Sequence, residues 1–233
     1  VRSTTWSPDG SKLATASDDE TARVWEAGTG RQLRTLRGHL NYVLSIAWSP
    51  DGNKLATASG DETAMVWEAG TGRQLCTLRG HQKPVGSIAW SPDGSKLATA
   101  SGDNTAKVWE AGTGSELLTL SGHQDDVNSI TWSPDGSKLA TASDDETARV
   151  WEAGTGRQLL TLRGHQDDVN SITWSPDGSK LATASDDRTA RIYVVAPEQF
   201  LRLVRSRITR DLTADECSRY LNANRCPPLP DVP

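Results

Sequence analysis

The sequence "GHQDDVNSITWSPDGSKLATASDD" occupies residues 122–145 and occurs again, letter for letter, at residues 164–187. Looser copies begin at Gly38 and Gly80, so the same pattern returns every 42 residues. A period of this length is typical of architectures in which similar units stack, because one unit cannot bury its own apolar face alone. The repeat therefore predicts an array of equivalent units over most of the 233-residue chain.

Each unit contains four short segments with β-strand character, separated by turn sequences. The segment "VNSITW" alternates apolar and polar residues, and "KLATAS", "TARVWE" and "RQLLTL" follow it. The turn "SPDG" places Pro and Gly where a tight turn needs them, and "AGTG" supplies a second turn. A helical solenoid is excluded because the repeat has no 3.6-residue periodicity. Four antiparallel strands per unit predict an all-β propeller built from five blades.

The repeated pattern "GH…V.SI.WSPDG.KLATAS.D.TA.VWE" resembles the WD-repeat β-propeller family over residues 1 to about 195. Two features depart from the family pattern. Glu follows the third-strand Trp where the family usually has Asp, and Tyr193 replaces that Trp in the fifth copy. The resemblance implies five four-stranded blades over residues 1–196, followed by a short tail over residues 197–233.

In the WD-repeat family, buried hydrogen bonds join the GH histidine, a strand hydroxyl, a turn aspartate and the third-strand tryptophan. The resemblance assigns these roles to His39, Asp61 and Trp67; His81, Asp103 and Trp109; His123, Asp145 and Trp151; and His165 and Asp187. The hydroxyl of the first set is either Thr57 or Ser59. Because an imidazole, a carboxylate and an indole N–H can satisfy one another in series, we expect these sets to be structural.

The sequence does not favour catalysis, metal binding or nucleic-acid binding. The four histidines recur once per unit, which does not give the close local spacing that a zinc site needs. The acidic pairs lack the spacing of an EF-hand, and the motifs of nucleophilic or phosphate-binding enzymes are missing. The net charge of −5 comes without a basic stripe, and no apolar run is long enough to span a bilayer. We expect a non-enzymatic protein without metal, cofactor, nucleic acid or membrane partner.

The copies differ mainly in the three residues after each GH and in the second residue of the first strand. In WD-repeat proteins these positions line one rim of the disc, which is the usual partner face. The resemblance therefore implies a protein or peptide partner that contacts Tyr42, Leu44, Lys83, Asp126, Asn128, Asp168 and Asn170. The alternative is drift at unconstrained surface positions.

The repeat breaks down in the tail. Apolar residues at helical spacing follow Pro197, namely Phe200, Leu201, Val204 and Ile208. This spacing predicts a short helix, whereas the alternative makes "FLRLV" the outer strand of the fifth blade. Thr213 and Glu216 form a capping box that predicts a second helix. The phrase "LTADECSRYL" resembles the tail that follows WD-repeat arrays in bacterial signalling proteins such as STAND-type ATPases.

The first residue of the chain and its cysteines indicate its processing and its compartment. The chain begins at Val1, and we expect a processed form or part of a longer protein. Cysteines are few, and no secretory signal opens the chain, which indicates the cytoplasm. Cys217 and Cys226 are either free thiols or a pair.

We expect a scaffold for protein contacts or the ligand-sensing domain of a bacterial multidomain signalling protein. The alternative is a structural element that completes its ring by oligomerisation through open blade edges. This alternative arises because nearly identical blades share one preferred wedge angle, and five of them do not close comfortably in a family that usually has about seven blades.

Overall fold

The computed structural model describes residues 1–195, and their regular secondary structure consists of β-strands. The strands are β1 Ser3–Trp6, β2 Lys12–Ala16, β3 Thr21–Glu26, β4 Gln32–Arg37, β5 Val43–Trp48, β6 Lys54–Ser59, β7 Thr63–Glu68, β8 Gln74–Arg79, β9 Val85–Trp90, β10 Lys96–Ser101, β11 Thr105–Glu110, β12 Glu116–Ser121, β13 Val127–Trp132, β14 Lys138–Ser143, β15 Ala148–Glu152, β16 Gln158–Leu162, β17 Val169–Trp174, β18 Lys180–Ser185 and β19 Ala190–Val194.

Consecutive strands pair antiparallel in sequence order and form five separate sheets. We call these sheets blades 1–5: β1–β4, β5–β8, β9–β12, β13–β16 and β17–β19. The prediction of four strands per unit is confirmed for blades 1–4. Three strands of blade 5 are described. The described residues do not include the fourth strand expected for blade 5 or the two predicted helices. Cys217 and Cys226 also lie outside them.

The "SPDG" sequence forms the turn between the first two strands of each blade. In blade 1, the N–H of Gly10 donates to the carbonyl of Ser7 at 2.8 Å, and Gly10 has a φ of 69°. That conformation favours glycine, which explains its place in every copy. The Asp9 carboxylate accepts the hydroxyl of Ser7 and the N–H of Ser11, so it ties both sides of the turn together.

Consecutive blades pack face to face, with the first strand of each blade against the preceding blade. We call the side that meets the preceding blade the leading face and the opposite side the trailing face. The indole of Trp90, on the leading face of blade 3, is only 8% exposed and donates to the carbonyl of Ala47 at 3.2 Å. Trp132 repeats this bond with Ala89 at 3.3 Å. Trp48 and Trp174 are buried at the same position without such a bond.

The two faces of a blade carry side chains of complementary size. The core between blades 2 and 3 shows the pattern. The trailing face of blade 2 contributes Ala56, Ala58, Ala64, Val66 and Leu78, and the leading face of blade 3 contributes Val85, Ile88, Trp90, Leu97, Trp109 and Ala111. Small residues on one side leave room for the large residues on the other, which is how interiors reach close packing. Equivalent cores lie between blades 1 and 2 and between blades 3 and 4.

The five blades form an open arc. Within residues 1–195, β17 does not pack on β1 in the way that β5 packs on β1 or β17 on β13. Trp6 on blade 1 is therefore 60% exposed, against 8% for its counterpart Trp90. Ile192 on blade 5 is 72% exposed, against 1% for its counterpart Val150. The sequence pointed to open blade edges, but the surfaces that this part of the chain leaves uncovered are blade faces.

The described residues contain no helix that is long and apolar enough to cross a membrane.

We predict that removing a first-strand tryptophan is costly only where a preceding blade covers it. Trp90→Ala should lower the free energy of unfolding by about 3–5 kcal/mol, because it opens a cavity between blades 2 and 3. Trp6→Ala, which changes the same motif position on an uncovered face, should cost less than about 1 kcal/mol in dilute protein. Urea unfolding of both variants measures this difference. Equal losses would mean that the leading faces of the two blades are equally covered.

Candidate functional site

The first candidate site is a chain of hydrogen bonds inside blade 2. The indole N–H of Trp67 donates to the hydroxyl of Thr57 at 2.8 Å, and that hydroxyl lies 2.7 Å from Nε2 of His39. Nδ1 of His39 lies 2.8 Å from Oδ2 of Asp61. A neutral imidazole satisfies every group when Trp67 donates to Thr57, Thr57 donates to His39 and His39 donates to Asp61. The imidazole is 6% exposed, so this complete pairing avoids the cost of an unpaired buried polar group.

The structure identifies the strand hydroxyl as Thr57. Ser59 has a different task, because its hydroxyl donates to the carbonyl of Asn41 and accepts the N–H of Asp61, both at 3.1 Å. Sequence analysis could not separate the two, since both lie in "KLATAS". Thr57 lies directly across the sheet from Met65, two residues from Trp67, which places its hydroxyl under the indole.

The same arrangement recurs in blades 3 and 4. The imidazole–carboxylate distance is 2.8 Å in both, for His81 with Asp103 and for His123 with Asp145. Thr99 and Thr141 supply the hydroxyls, and Trp109 and Trp151 supply the indoles. Each histidine belongs to the connector that precedes the blade, so the set fastens that connector onto the blade.

The first and last blades deviate from this arrangement. In blade 5, His165 keeps its contacts to Asp187 at 2.7 Å and to Thr183 at 2.8 Å, while Tyr193 occupies the tryptophan position. In blade 1, no histidine within the described residues reaches Asp19. Its Oδ2 is paired instead with Arg23 at 2.6 Å.

Burial and hydrogen bonding fix the charges of these groups. Burial lowers the pKa of His39 and of His123 and outweighs the raising effect of the neighbouring carboxylates. Burial would raise the pKa of Asp61, but hydrogen bonds from Thr63, from the N–H of Leu40 and from His39 together lower it. In blades 2 and 4 the arrangement is therefore a neutral imidazole beside an ionised carboxylate. All its polar atoms are used internally, which leaves no free group for a ligand.

The second candidate site is the rim, the end of the blades that carries the loops after each GH and the loops between second and third strands. Backbone hydrogen bonds hold these two loops together, as from Gly60 to Tyr42 at 3.0 Å and from Asp144 to Asp126 at 3.0 Å. The "SPDG" and "AGTG" turns lie at the opposite end of the strands. The rim therefore carries the variable triplets and the variable second residue of each first strand.

On blade 2 the rim is apolar. Leu40 is 85% exposed, Tyr42 is 48% exposed and Leu44 is half-buried. Sequence analysis selected Tyr42 and Leu44 but missed Leu40, the most exposed large apolar side chain in the described residues. The sequence does distinguish Leu40, because it is the first residue of the variable triplet "LNY", whereas the later copies have Gln at that position.

On blades 4 and 5 the rim is acidic. Burial raises the pKa of Asp168, and its neighbours Asp144, Asp167 and Asp186 raise it further. Burial also raises the pKa of Asp126, and Lys83 opposes this effect from 3.8 Å. A raised carboxyl pKa indicates a field that disfavours negative charge. This half of the rim would therefore favour a positively charged partner.

Rim variation is coupled between two positions of each copy. Arg2 pairs with Asp18 at 2.6 Å, and Asn170 donates to Asp186 at 2.6 Å. Asn128 likewise donates to the carboxylate of the corresponding aspartate in blade 4 and also to the carbonyl of Val169 in blade 5, at 3.2 Å. Where the loop has Gly in place of Asp, in blades 2 and 3, the strand residue is Leu44 or Gly86. The strand residue is therefore polar where the loop has Asp, and it is Leu or Gly where the loop has Gly.

Within residues 1–195, no group of three or more His, Cys, Asp or Glu side chains is arranged to hold a metal ion.

Comparison with known protein families gives a match over all five blades. The family described as WD domain, G-beta repeat matches residues 1–26, 30–68, 72–110, 114–152 and 156–193. Each later segment begins before the outer strand of one blade and ends at the third strand of the next, so the sequence repeat is offset from the blade by one strand. The match confirms the resemblance that the sequence showed. The tail is not part of the match.

We predict that the Asp–His contact stabilises the blade. Asp103→Ala removes the partner of His81 and of the N–H groups of Gln82 and Thr105, so it should cost about 1–3 kcal/mol. Asp19→Ala is the matched control, because that carboxylate faces a half-exposed arginine, and its loss should be smaller. Thermal melting of both variants tests this. A normal melting temperature for Asp103→Ala, with partner binding abolished, would contradict the structural role.

We also predict that acid destabilises the fold in two steps. The pKa of His39 and of His123 lies below the ordinary 6.5, so their contribution is complete above pH 6.5 and is lost as the pH falls below it. The turn carboxylates Asp51, Asp93 and Asp135 have pKa values lowered from 3.8 to about 2, first by the serine two residues before each and then by hydrogen bonds from the residue two positions after it. Their contribution is present above pH 3.8 and is lost towards pH 2. The urea midpoint at constant ionic strength should fall accordingly.

His123→Gln provides the control for the first step, because glutamine does not titrate. This variant should show a smaller fall of the urea midpoint between pH 7 and pH 5 than the parent chain. A parent midpoint that stays level or rises over this interval would mean that the imidazoles are charged in the folded chain.

Proposed function

Because the chain belongs to the WD40 family of WD-domain, G-beta repeat proteins, we propose that it is a non-enzymatic platform whose rim binds a protein or peptide. Members of this family generally act as scaffolds that bind other proteins. The blades supply a rigid frame, and binding residues tend to lie on loops held by such a frame. The histidine, aspartate, threonine and tryptophan side chains that recur in the blades form hydrogen bonds with one another. The side chains that differ between the loops after each GH are exposed at the rim.

The chemistry of the rim suggests what the partner carries. The single observation that supports the proposal most is the concentration of carboxylates on blades 4 and 5, at positions where repulsion and burial raise their pKa. A lysine or arginine from a partner would relieve that repulsion. On blade 2, Leu40, Tyr42 and Leu44 offer apolar anchors of the kind that contribute most to protein interfaces. We therefore propose a partner segment with basic and apolar side chains.

The proposal also covers the kind of protein to which the blades belong and its location in the cell. The tail phrase "LTADECSRYL" supports a bacterial multidomain signalling protein, in which the blades would act as scaffold or ligand-sensing domain. The low cysteine count supports a cytoplasmic location. A nucleic-acid or membrane partner has no basic surface stripe to support it.

A second candidate function is self-assembly, in which copies of the chain extend the array of blades. The observation that favours it is the exposure of Trp6 and Ile192 at the two ends of the arc.

We predict that charge reversal on the acidic half of the rim weakens binding. The probe is a fluorescein-labelled peptide of alternating Lys and Leu, and its Glu–Leu counterpart controls for charge. Asp126→Lys and Asp168→Lys should each reduce affinity by about tenfold, since like charges at an interface repel strongly. Tyr42→Ala and Leu44→Ala should weaken binding by removing the apolar anchors. Fluorescence anisotropy at low and physiological salt measures these changes.

Glu110→Lys is the matched control, because it makes the same change of charge on an exposed residue at the opposite end of the strands. Its affinity should equal that of the parent chain. Unchanged affinity in all four rim variants would place the binding surface on the opposite end of the blades or in the tail.

A further inference from the structure

We infer that the trailing face of blade 5 binds the leading face of blade 1 of a second copy of this chain. This inference deepens the second candidate function, self-assembly, and rests on it. It is independent of partner binding at the rim, because the two blade faces share no residue with the proposed rim contacts.

The leading face of blade 1 lacks the cover that every later blade has. Val1 is 77% exposed and Trp6 is 60% exposed, and Leu13 and Trp25 are only half-buried. The glycine of each later "SPDG" turn meets the proline of the preceding blade, as Gly52 meets Pro8, where an added Cβ would lie 3.6 Å from the ring. In the same test the corresponding glycine of blade 1, Gly10, has nothing within 4 Å.

Within residues 1–195, no other blade covers the trailing face of blade 5. Its residues Ala184, Ala190 and Ile192 are exposed. Their counterparts on blade 4 are Ala142, Ala148 and Val150, which are at most 2% exposed. Four large apolar residues of the described part exceed 50% exposure: Leu40, Val1, Ile192 and Trp6. Three of these four lie on the two bare faces.

The contacts between neighbouring blades show how a leading face packs on a trailing face. Four times within the chain, the leading face of one blade covers the Ala-rich trailing face of the blade before it. Blade 1 keeps the first-strand Trp of the motif, and blade 5 keeps the small residues that receive it. A second copy can therefore repeat the packing of a first-strand tryptophan on small residues, for which the described strands of blades 1 and 5 carry the two sides.

Atom-level contacts follow from the register of the repeats. Two of the four internal interfaces have an indole–carbonyl bond, made by Trp90 and Trp132. In an interface of that kind, the indole of Trp6 would donate to the corresponding carbonyl of Thr173 in the other copy. Gly10 would likewise meet Pro176, as Gly52 meets Pro8. The shape and the hydrogen bond favour a blade over a generic apolar partner.

Such an interface is heterologous, because two different faces of the chain meet. Each copy that binds leaves one leading and one trailing face bare, so assembly continues until the array closes into a ring or extends as a filament. This property permits a test that does not depend on the final number of copies.

The experiment uses two variants of the full chain that each block one face. Trp6→Arg blocks the leading face and Ile192→Asp blocks the trailing face, and both residues are exposed, so both variants should fold. Leu117→Asp is the control, since Leu117 is exposed on β12 away from both bare faces. Sedimentation velocity over a series of protein concentrations measures the mass of each variant and of their mixture.

The parent chain and Leu117→Asp should associate as concentration rises, while Trp6→Arg and Ile192→Asp each stay at the 25.1 kDa of one chain. An equimolar mixture of the two blocked variants should form a complex of twice that mass, because one intact leading face meets one intact trailing face. No other pairing of faces predicts both the loss and its recovery on mixing.

Two results would overturn the inference, and only the first of them would also overturn self-assembly as a function. A parent chain of single-chain mass at every concentration would remove self-assembly as a function altogether. Association that persists in both blocked variants, or that mixing fails to restore, would leave self-assembly standing but place its contact elsewhere, for instance on the apolar rim at Leu40. Neither result would affect peptide binding at the rim.

Discussion

Each blade has two apolar faces, and only another blade of the same kind covers either of them well. The leading face presents Trp, Leu and Ile, whereas the trailing face presents mainly Ala and Val. Stability therefore comes from neighbours, as in other repeat proteins whose units contact only the units beside them. Among residues 1–195, the three middle blades have a neighbouring blade on both faces, while blades 1 and 5 have a neighbour on one face each. The exposure of Trp6 and Ile192 follows from this constraint and not from any change of motif.

Each hydrogen-bonded set joins a blade to the connector that precedes it. His39 belongs to the connector after blade 1, but its partners Thr57, Asp61 and Trp67 belong to blade 2. The corresponding histidine thus fastens the connector to the next blade at each of the four crossings. The residues of these sets recur from copy to copy, whereas the rim loops differ. There the blade 2 loop is apolar and the loops of blades 4 and 5 are acidic.

Much of this arrangement could be predicted from the sequence, because each strand and turn has local signals that repeat. The alternation in "VNSITW" and the Gly of "SPDG" gave the strands and turns of blades 1–4 correctly. The choice between Thr57 and Ser59 needed coordinates, since two hydroxyls lie two residues apart on the same strand. The coupling of Arg2 with Asp18 was also hidden, because the two residues meet only when the first and second strands pair. The number of nearly identical blades led us to expect an unclosed array. The sequence did not show that blade faces are the surfaces left bare, because that depends on how the blades stack.

The claim that neighbouring blades stabilise one another is tested most directly by amide hydrogen exchange in the five copies of "KLATAS", followed by NMR in dilute protein. These copies begin at Lys12, Lys54, Lys96, Lys138 and Lys180. Their sequences are identical, so their unprotected exchange rates are closely similar and any large difference reports the surrounding structure. Exchange should be slowest in the copies of blades 2, 3 and 4, whose two faces are covered, and faster in the copies of blades 1 and 5. Equal protection in all five copies would contradict the account.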